Sequence, residues 1–170
     1  MAKWNLDASH SEVHFKVKHM VISTVKGSFD QFDAHIESDS DQFENASFGF
    51  TADVNSINTK NADRDNHLKS DDFFGADQFS QIKFESTSGI QNGKIEGELE
   101  IKGQKHKVTL DADFGGVITD PWGNTRAGFE FVGEINRKDF GLTWSATTEA
   151  GGLVVSDKVK LIVNLEFVQG

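Results

Sequence analysis

Regular alternation of apolar and polar side chains is the feature that most constrains the fold of this chain. In the segment 94–101, apolar residues or glycine take every second position, and Lys or Glu takes the positions between them. In the segment 158–167, five apolar residues alternate in the same way. A period of two places neighbouring side chains on opposite faces of a β-strand. Each such segment is therefore predicted to be a strand with one buried face.

The same pattern, clear in some places and less regular in others, predicts about eight strands in total. The further segments are 12–19, 25–37, 45–55, 82–90, 107–114 and 127–135. The pair Asn92-Gly93 precedes one strand and suits a tight hairpin turn, because both residue types tolerate positive φ. Short connections favour an antiparallel sheet that closes on itself, since closure removes exposed edges. Alternation alone leaves a two-sheet sandwich as the other architecture.

The segment 60–79 departs from this pattern because it is rich in Asp and Asn and does not alternate. Asn61 can cap a helix, and Asp63 and Asp65 are favourable near the positive end of the helix dipole. We therefore predict a short helix followed by a loop that carries phenylalanines. No internal repeat or linker is evident, so residues 1–170 are predicted to form a single domain.

Composition and motifs exclude several classes of function. The chain has no cysteine, which excludes thiol chemistry and cysteine-ligated metals. Its formal net charge of −10 at pH 7 argues against nucleic-acid binding through a broad basic face. Neither a nucleophile elbow nor a phosphate-binding glycine loop is present. No secretory signal or membrane-length apolar run is evident either, so a cytoplasmic location is expected.

The predicted inward face combines phenylalanines with small residues. The chain contains 15 Phe and no Tyr, and Phe has no polar group that would need water. An eight-stranded barrel is just wide enough to be filled by side chains or to hold one small ligand, and the sequence leaves both outcomes open. The residues predicted to line an apolar channel are Phe15, Val17, Phe48, Phe50, Leu99, Leu110, Phe129, Phe131, Leu161 and Val163.

Histidines crowd the first predicted strand, but their spacing argues against a metal site. Residues 10 and 14 would share one face of a strand, whereas residue 19 would lie on the other. No metal ligand and no catalytic residue are therefore assigned. His19 ends an inward-facing run, which makes it a candidate polar group at one mouth of the channel, with a satisfied core histidine as the alternative.

Two further candidates lie in the predicted helix and the loop after it. Arg64 and His67 are three residues apart and can share one helix face, so they are tentative members of the same polar mouth. Phe73 and Phe74 follow the helix and are predicted to act as a lid. A segment that simply caps the barrel fits the same residues.

Several blocks of sequence, taken together and in order, resemble the YceI-like family. The run Trp-Asn-Leu-Asp at 4–7 with His-Ser at 10–11 is similar to the start of that family. The run Arg-Asp-Asn-His-Leu at 64–68 resembles its Arg-Asp-x-His-Leu signature. The run at 136–141 resembles its Asn-Arg-x-Asp-Phe-Gly element, and Val-Ser-Asp-Lys-Val at 155–159 fits its ending.

This resemblance implies a lipocalin-like antiparallel barrel whose apolar channel holds a polyisoprenoid. It also implies a homodimer, as in several members. We therefore expect a carrier or sequestering protein for a long isoprenoid lipid or isoprenoid quinone, with transient membrane contact, no required cofactor and no catalysis. An enzyme acting on such a lipid through His19 or through Arg64 and His67 is one alternative. A stress-related barrel with a filled interior is another.

Overall fold

The computed structural model describes residues 2–19, 23–39, 42–142 and 155–170. These ranges contain one α-helix, α1 (Ala62–Lys69), and 3₁₀ helices at Ala8–His10, Val54–Ser56 and Arg137–Phe140. The strands in the described ranges are β1 (Ala2–Leu6), β2 (Glu12–His19), β3 (Ser23–Phe29), β4 (Phe32–Ser38), β5 (Ser47–Asp53), β6 (Ile57–Asn58), β7 (Gln81–Ser86), β8 (Lys94–Ile101), β9 (Gln104–Thr119), β10 (Thr125–Asn136) and β11 (Val155–Gln169).

Eight of these strands close into an antiparallel barrel. Their order around the ring is β1, β4, β5, β7, β8, β9, β10 and β11, and β11 pairs back to β1. The closing pair brings Trp4 opposite Gln169 and Leu6 opposite Phe167. The predicted all-β, eight-stranded, lipocalin-like barrel with a short helix in the 60–79 segment is therefore confirmed.

Three consecutive positions in the barrel wall are each built from two strands, which gives eleven strands among the described residues; β1 and β6 lie outside all eight predicted segments. β1 and β2 both pair with β11 and are separated by the 3₁₀ helix Ala8–His10. β3 pairs with β2 and β4 with β1, so the single strand predicted over 25–37 is split at residues 30–31. In the third position, β5 and β6 are separated by the 3₁₀ helix Val54–Ser56.

The first interruption follows from the side chain of Asp7. Its carboxylate accepts hydrogen bonds from the backbone N–H and the hydroxyl of Ser9, at 3.1 and 2.6 Å. Such local bonds offer the backbone an alternative to the sheet ladder. His10 therefore lies in a 3₁₀ turn, so the strand-face argument does not apply to it. His14 is in β2, where its Nε2 lies 3.0 Å from Glu12 Oε2.

The helix begins and ends as its sequence predicts. The Asn61 side chain accepts a hydrogen bond from the Arg64 backbone N–H at 3.0 Å, while Asp63 and Asp65 occupy the first turn and Lys69 the last. These charges complement the helix dipole. No helix of the described residues has both the length and the apolar character needed to cross a membrane.

Strand direction defines two ends of the barrel. The helix end holds α1, the β8–β9 turn and the 3₁₀ helix Arg137–Phe140; there Lys102 Nζ donates to the Asp71 carbonyl at 2.8 Å. The hairpin end holds residues 42–46, the β7–β8 connection and the β9–β10 turn. In the β7–β8 connection, Asn92 and Gly93 have φ of 55° and 72°, which confirms the predicted tight turn.

Candidate functional site

The barrel encloses an apolar cavity of about 100 Å³. Its wall includes Val13 and Phe15 from β2, Phe84 from β7, and Leu165 from β11. Other strands add Phe, Leu, Ile, Val and Ala side chains. A ligand held within such a wall is bound by apolar contacts and by shape, because His14 is the one residue with an ionisable or amide side chain among the described residues of the wall.

Eight of the ten residues predicted to line a channel lie in the wall of this cavity. They are Phe15, Phe48, Phe50, Leu99, Leu110, Phe131, Leu161 and Val163. Phe129 is buried beyond the cavity, in an aromatic cluster at the hairpin end. Val17 is half-buried, pairs with Val25 and Val159, and lies outside the described wall of the cavity. Ligand contact by these residues stays a prediction.

Phe43 closes the hairpin end of the barrel. Its side chain is completely buried (0% exposed), and its ring centroid lies 5.4 Å from that of Trp4, 5.1 Å from Phe114 and 5.0 Å from Phe129. Tilted and edge-to-face arrangements at these distances are the favourable ones for aromatic pairs. The ring therefore forms a floor at the hairpin end, behind the cavity-wall residue Phe48, whose ring centroid lies 6.5 Å away.

The backbone around Phe43 is held against the β7–β8 connection. The Phe43 carbonyl accepts hydrogen bonds from Ile90 N–H at 2.9 Å and from Ala46 N–H at 3.3 Å. Gly89 packs so closely that a Cβ there would lie 2.2 Å from the Glu44 carbonyl oxygen. Sequence reasoning missed Phe43, although a single aromatic residue within the polar run 37–45 was a usable signal.

Arg64, a predicted mouth residue, connects α1 by hydrogen bonds to Thr59, which precedes the helix in the chain. Its Nε donates to Thr59 Oγ1 at 2.8 Å, and its Nη2 donates to the Thr59 carbonyl at 2.6 Å. Asp65 accepts a hydrogen bond from Thr59 N–H at 2.9 Å. These contacts give Arg64 a structural role beside the helix end, and contact with a ligand head group stays a prediction.

The other mouth and lid candidates also pack within the helix segment. His67 Nε2 lies 2.9 Å from Asp72 Oδ2, and its ring meets Phe73 edge-on at 5.1 Å. Phe73 is buried. Phe74 is half-buried, and its ring centroid lies 6.0 Å from that of Phe29, a cavity-wall residue. The helix segment thus contacts the cavity wall through Phe74. The side chain of His19 lies outside the described residues.

Two of the sequence blocks that resemble the YceI-like family, 136–141 and 155–159, lie together at the helix end. Arg137 is 3% exposed; it donates to the carbonyls of Leu142 and Ser156, and its Nη2 lies 3.7 Å from Asp157 Oδ1. Burial lowers the pKa of Arg137, and the Asp157 charge opposes that shift. The Asn136 side chain caps the 3₁₀ turn by accepting from Lys138 N–H at 3.0 Å. These residues join the end of β10 to the start of β11.

A separate charge cluster lies outside the barrel, near the hairpin end. The Arg126 guanidinium donates to Asp7 Oδ2 at 2.8 Å, to Asp120 Oδ2 at 2.7 Å and to Glu166 Oε2 at 2.9 Å. Asp7, His10 and Glu166 bring potential metal-ligand atoms close together. Arg126 already supplies a cation to both carboxylates, so ion pairing accounts for this cluster without a metal.

The cluster changes how its carboxyl groups titrate. Hydrogen bonds from Ser9 and then from Arg126 hold the pKa of Asp7 well below its usual range. The hydrogen bond from Arg126 lowers the pKa of Asp120 to about 2. A carboxyl whose pKa is lowered on folding contributes stability above its unfolded pKa and loses that contribution as the pH falls through the folded pKa.

An Arg126→Gln variant is therefore expected to lose stability mainly above pH 4. The difference from the wild type in free energy of unfolding should be largest near pH 7 and should shrink between about pH 4 and pH 2, as Asp120 becomes protonated. Urea denaturation at several pH values measures it. Lys94→Gln, which removes an exposed pair with Asp111, is the control and should have a smaller effect. An Arg126→Gln deficit that is constant from pH 7 to pH 2 would contradict the assignment.

Comparison with known proteins identifies the family. The model of the YceI-like domain matches residues 4–167, so the chain belongs to the YceI-like family. A UPF0312 protein of Staphylococcus aureus is 42% identical over 168 residues, which cover 98% of each chain. The Campylobacter jejuni YCEI protein is 35% identical, with a TM-score of 0.76 over 97% of this chain and 96% of that one.

Two more distant solved structures share the fold. Burkholderia cenocepacia BcnA is 23% identical, with a TM-score of 0.79 over 95% of this chain and 98% of that chain. A polyisoprenoid binding domain from Saccharophagus degradans, implicated in plant cell wall breakdown, is 18% identical, with a TM-score of 0.71 over 98% of each chain. The barrel is thus retained where most of the sequence differs.

Proposed function

We propose that this chain binds a long isoprenoid-type lipid, a polyisoprenoid or isoprenoid quinone, inside the barrel and carries or sequesters it without catalysis. The observation that carries this proposal is the apolar cavity, whose wall is formed by aliphatic and aromatic side chains from the strands around it. The fold shared with a polyisoprenoid binding domain supports the same class of ligand. The proposed form is a cytoplasmic homodimer, and light scattering of the purified protein measures its mass.

The size of the cavity constrains how such a lipid enters. At about 100 Å³ it is smaller than the engineered cavity of about 150 Å³ that accepts benzene. It therefore accommodates roughly one five-carbon unit, and a longer chain requires interior side chains to move. Because Phe43 closes the hairpin end, the chain extends toward the helix end in this proposal. The polar head group then lies near Arg64 and His67, with Phe73 and Phe74 covering the mouth.

Energetics favour exchange with membranes over permanent capture. Transfer of a CH₂ group from water to an apolar site is favourable by about 0.8 kcal/mol. A free isoprenoid resides in a bilayer rather than in water, so most of this gain is already realised before the lipid binds. Net affinity must then come from the shape of the channel and from a few polar groups at its mouth.

A second candidate function is a barrel with a filled interior that acts through its surface. The small volume of the cavity and the buried Phe43 ring favour it. Native mass spectrometry of the purified protein, followed by organic extraction, separates the two candidates. A stoichiometric long-chain isoprenoid supports the carrier. Protein that stays free of lipid after incubation with isoprenoids in detergent supports the filled barrel.

A Val163→Trp variant is expected to bind isoprenoid at least about tenfold more weakly than the wild type. Val163 forms part of the cavity wall, so an indole there occupies the volume that the ligand needs. Overpacking of a core costs about 1–3 kcal/mol, so circular dichroism must show that the variant is folded. Titration of the detergent-solubilised lipid measures binding.

The matched control is Ile162→Trp, on the same strand. Alternation turns residue 162 to the outer face, opposite His14 and Val132. This variant should bind the lipid as the wild type does. Equal binding by all three proteins would show that the lipid does not occupy the cavity.

A further inference from the structure

The β9–β10 hairpin ends in an exposed apolar tip, formed by residues 117–122. Within it, the Trp122 side chain is 82% exposed and that of Ile118 is 65% exposed, the two large apolar side chains most open to solvent among the described residues. Pro121 lies beside Trp122 in the turn and is exposed as well. Trp122 lies in solvent on a turn and contributes little to the packing of the barrel, and with Ile118 on the same hairpin tip it marks a candidate contact site.

The tip carries no uncompensated charge. Asp120 is the one charged residue between Phe114 and Thr125 in the sequence. Its Oδ2 accepts a hydrogen bond from Arg126 Nε at 2.7 Å, and its Oδ1 accepts one from Trp122 N–H at 2.9 Å. The single carboxylate is thus turned back into the hairpin and paired with a cation, while the apolar side chains remain exposed.

We propose that this tip inserts into the interfacial region of a zwitterionic lipid bilayer through Trp122 and Ile118. Tryptophan suits that region because its ring is apolar while its N–H can bond to water or head groups. The formal net charge of −10 disfavours a strongly anionic surface, and the tip lacks free cations that would require one. This inference goes beyond the proposed cargo and is independent of it: the tip lies at the hairpin end, opposite the proposed mouth at the helix end, so it would hold the protein at a bilayer rather than receive the lipid.

A second copy of the chain fits the same tip less well. A fully buried aromatic side chain contributes about 150–250 Å², so Trp122 and Ile118 together offer well under the roughly 800 Å² per partner of a stable interface. The outer face next to the tip adds the exposed carboxylates Asp111, Asp113 and Glu130, which would repel the same face of another copy. A bilayer needs only a small inserted area to bind reversibly.

Co-flotation of the full chain with phosphatidylcholine vesicles tests the proposal. The wild type should float with the vesicles. Trp122→Ser should reduce the partition coefficient by about tenfold or more, and Ile118→Ser by several-fold. Thr109→Ser, on the exposed face of β9 away from the tip, is the matched control and should float as the wild type does. Quenching of tryptophan fluorescence by brominated phosphatidylcholine should be weaker in Trp122→Phe than in the wild type.

Three outcomes would overturn the proposal. They are a wild type that does not float, a Trp122→Ser variant that floats equally well, and a tip-dependent dimer in light scattering without flotation. Isoprenoid binding measured in detergent, without vesicles, reports separately on the proposed cargo and should be the same in Trp122→Ser and the wild type. Flotation without isoprenoid binding would refute the proposed cargo and leave the tip assignment intact.

Discussion

An Arg137→Ala variant is expected to be less stable than the wild type by about 3–5 kcal/mol in free energy of unfolding. The guanidinium is almost fully buried, donates to two backbone carbonyls and faces Asp157. Its removal leaves both carbonyl acceptors without their donor and leaves the half-buried Asp157 carboxylate paired with the exposed Lys138 ammonium. Urea denaturation at pH 7 measures the loss, which should appear as a lower midpoint with an unchanged slope.

Lys138→Ala is the matched control for this variant. Lys138 is the next residue, and its Nζ lies 3.4 Å from the same Asp157 Oδ1, but its side chain is exposed. An exposed ion pair contributes about 0–1 kcal/mol, so this variant should stay close to the wild type. Equal losses in the two variants would show that charge near Asp157, rather than the buried hydrogen bonds of Arg137, stabilises the helix end.

A Phe43→Ala variant is expected to lose about 3–5 kcal/mol of stability, the range for removing a buried phenylalanine ring. The backbone of Phe43 has a φ of 59°, in the left-handed region, and alanine adopts this conformation at a similar cost in free energy. The loss of stability therefore measures the removal of the ring rather than a change in backbone strain. The same variant removes the floor of the cavity. We therefore expect it to accept an isoprenoid longer than the longest one that the wild type binds, as measured with a series of chain lengths in detergent.

Phe32→Ala serves as the control for the Phe43 variant. Phe32 is half-buried and stacks on Phe50 with ring centroids 6.4 Å apart, away from the Phe43 cluster. It should lose less stability and leave the preferred chain length unchanged. If Phe43→Ala has the same length preference as the wild type, the floor assignment is wrong, whatever the loss of stability.

Alternation predicted the barrel wall well wherever a strand runs without interruption. The segment 94–101 forms β8, and the inward residues of 158–167 lie on β11 as expected. Asn61 also capped the helix as its side-chain chemistry required. In each case the decisive interaction is local in sequence, or follows directly from which face of a strand is buried.

Features that depend on distant partners were not predictable in this way. Phe43 lies in a polar segment, and its burial depends on Trp4, Phe114 and Phe129, which come from other parts of the chain. The Arg126 cluster depends on a hydrogen bond from Arg126 to Asp7, 119 positions away. The break at 30–31, by contrast, is visible as a change of phase, because the inward positions 25, 27 and 29 of β3 are followed by 32, 34 and 36 of β4; the prediction of one strand over 25–37 overlooked this signal. Trp144 and its neighbours at 143–154 lie outside the described residues.

The closed ring also limits how other proteins can recognise this one. Each of the eight ring strands pairs on both sides, including β1, which lies between β4 and β11. Along these pairings their backbone N–H and C=O groups are already used in ladders, so an incoming peptide can add a strand only outside the ring, for example beside residues 23–27 of β3, which pair with β2 alone among the described residues. On the ring itself, selectivity for a macromolecular partner must therefore reside in protruding side chains and turns, where single substitutions can change it without disturbing the barrel.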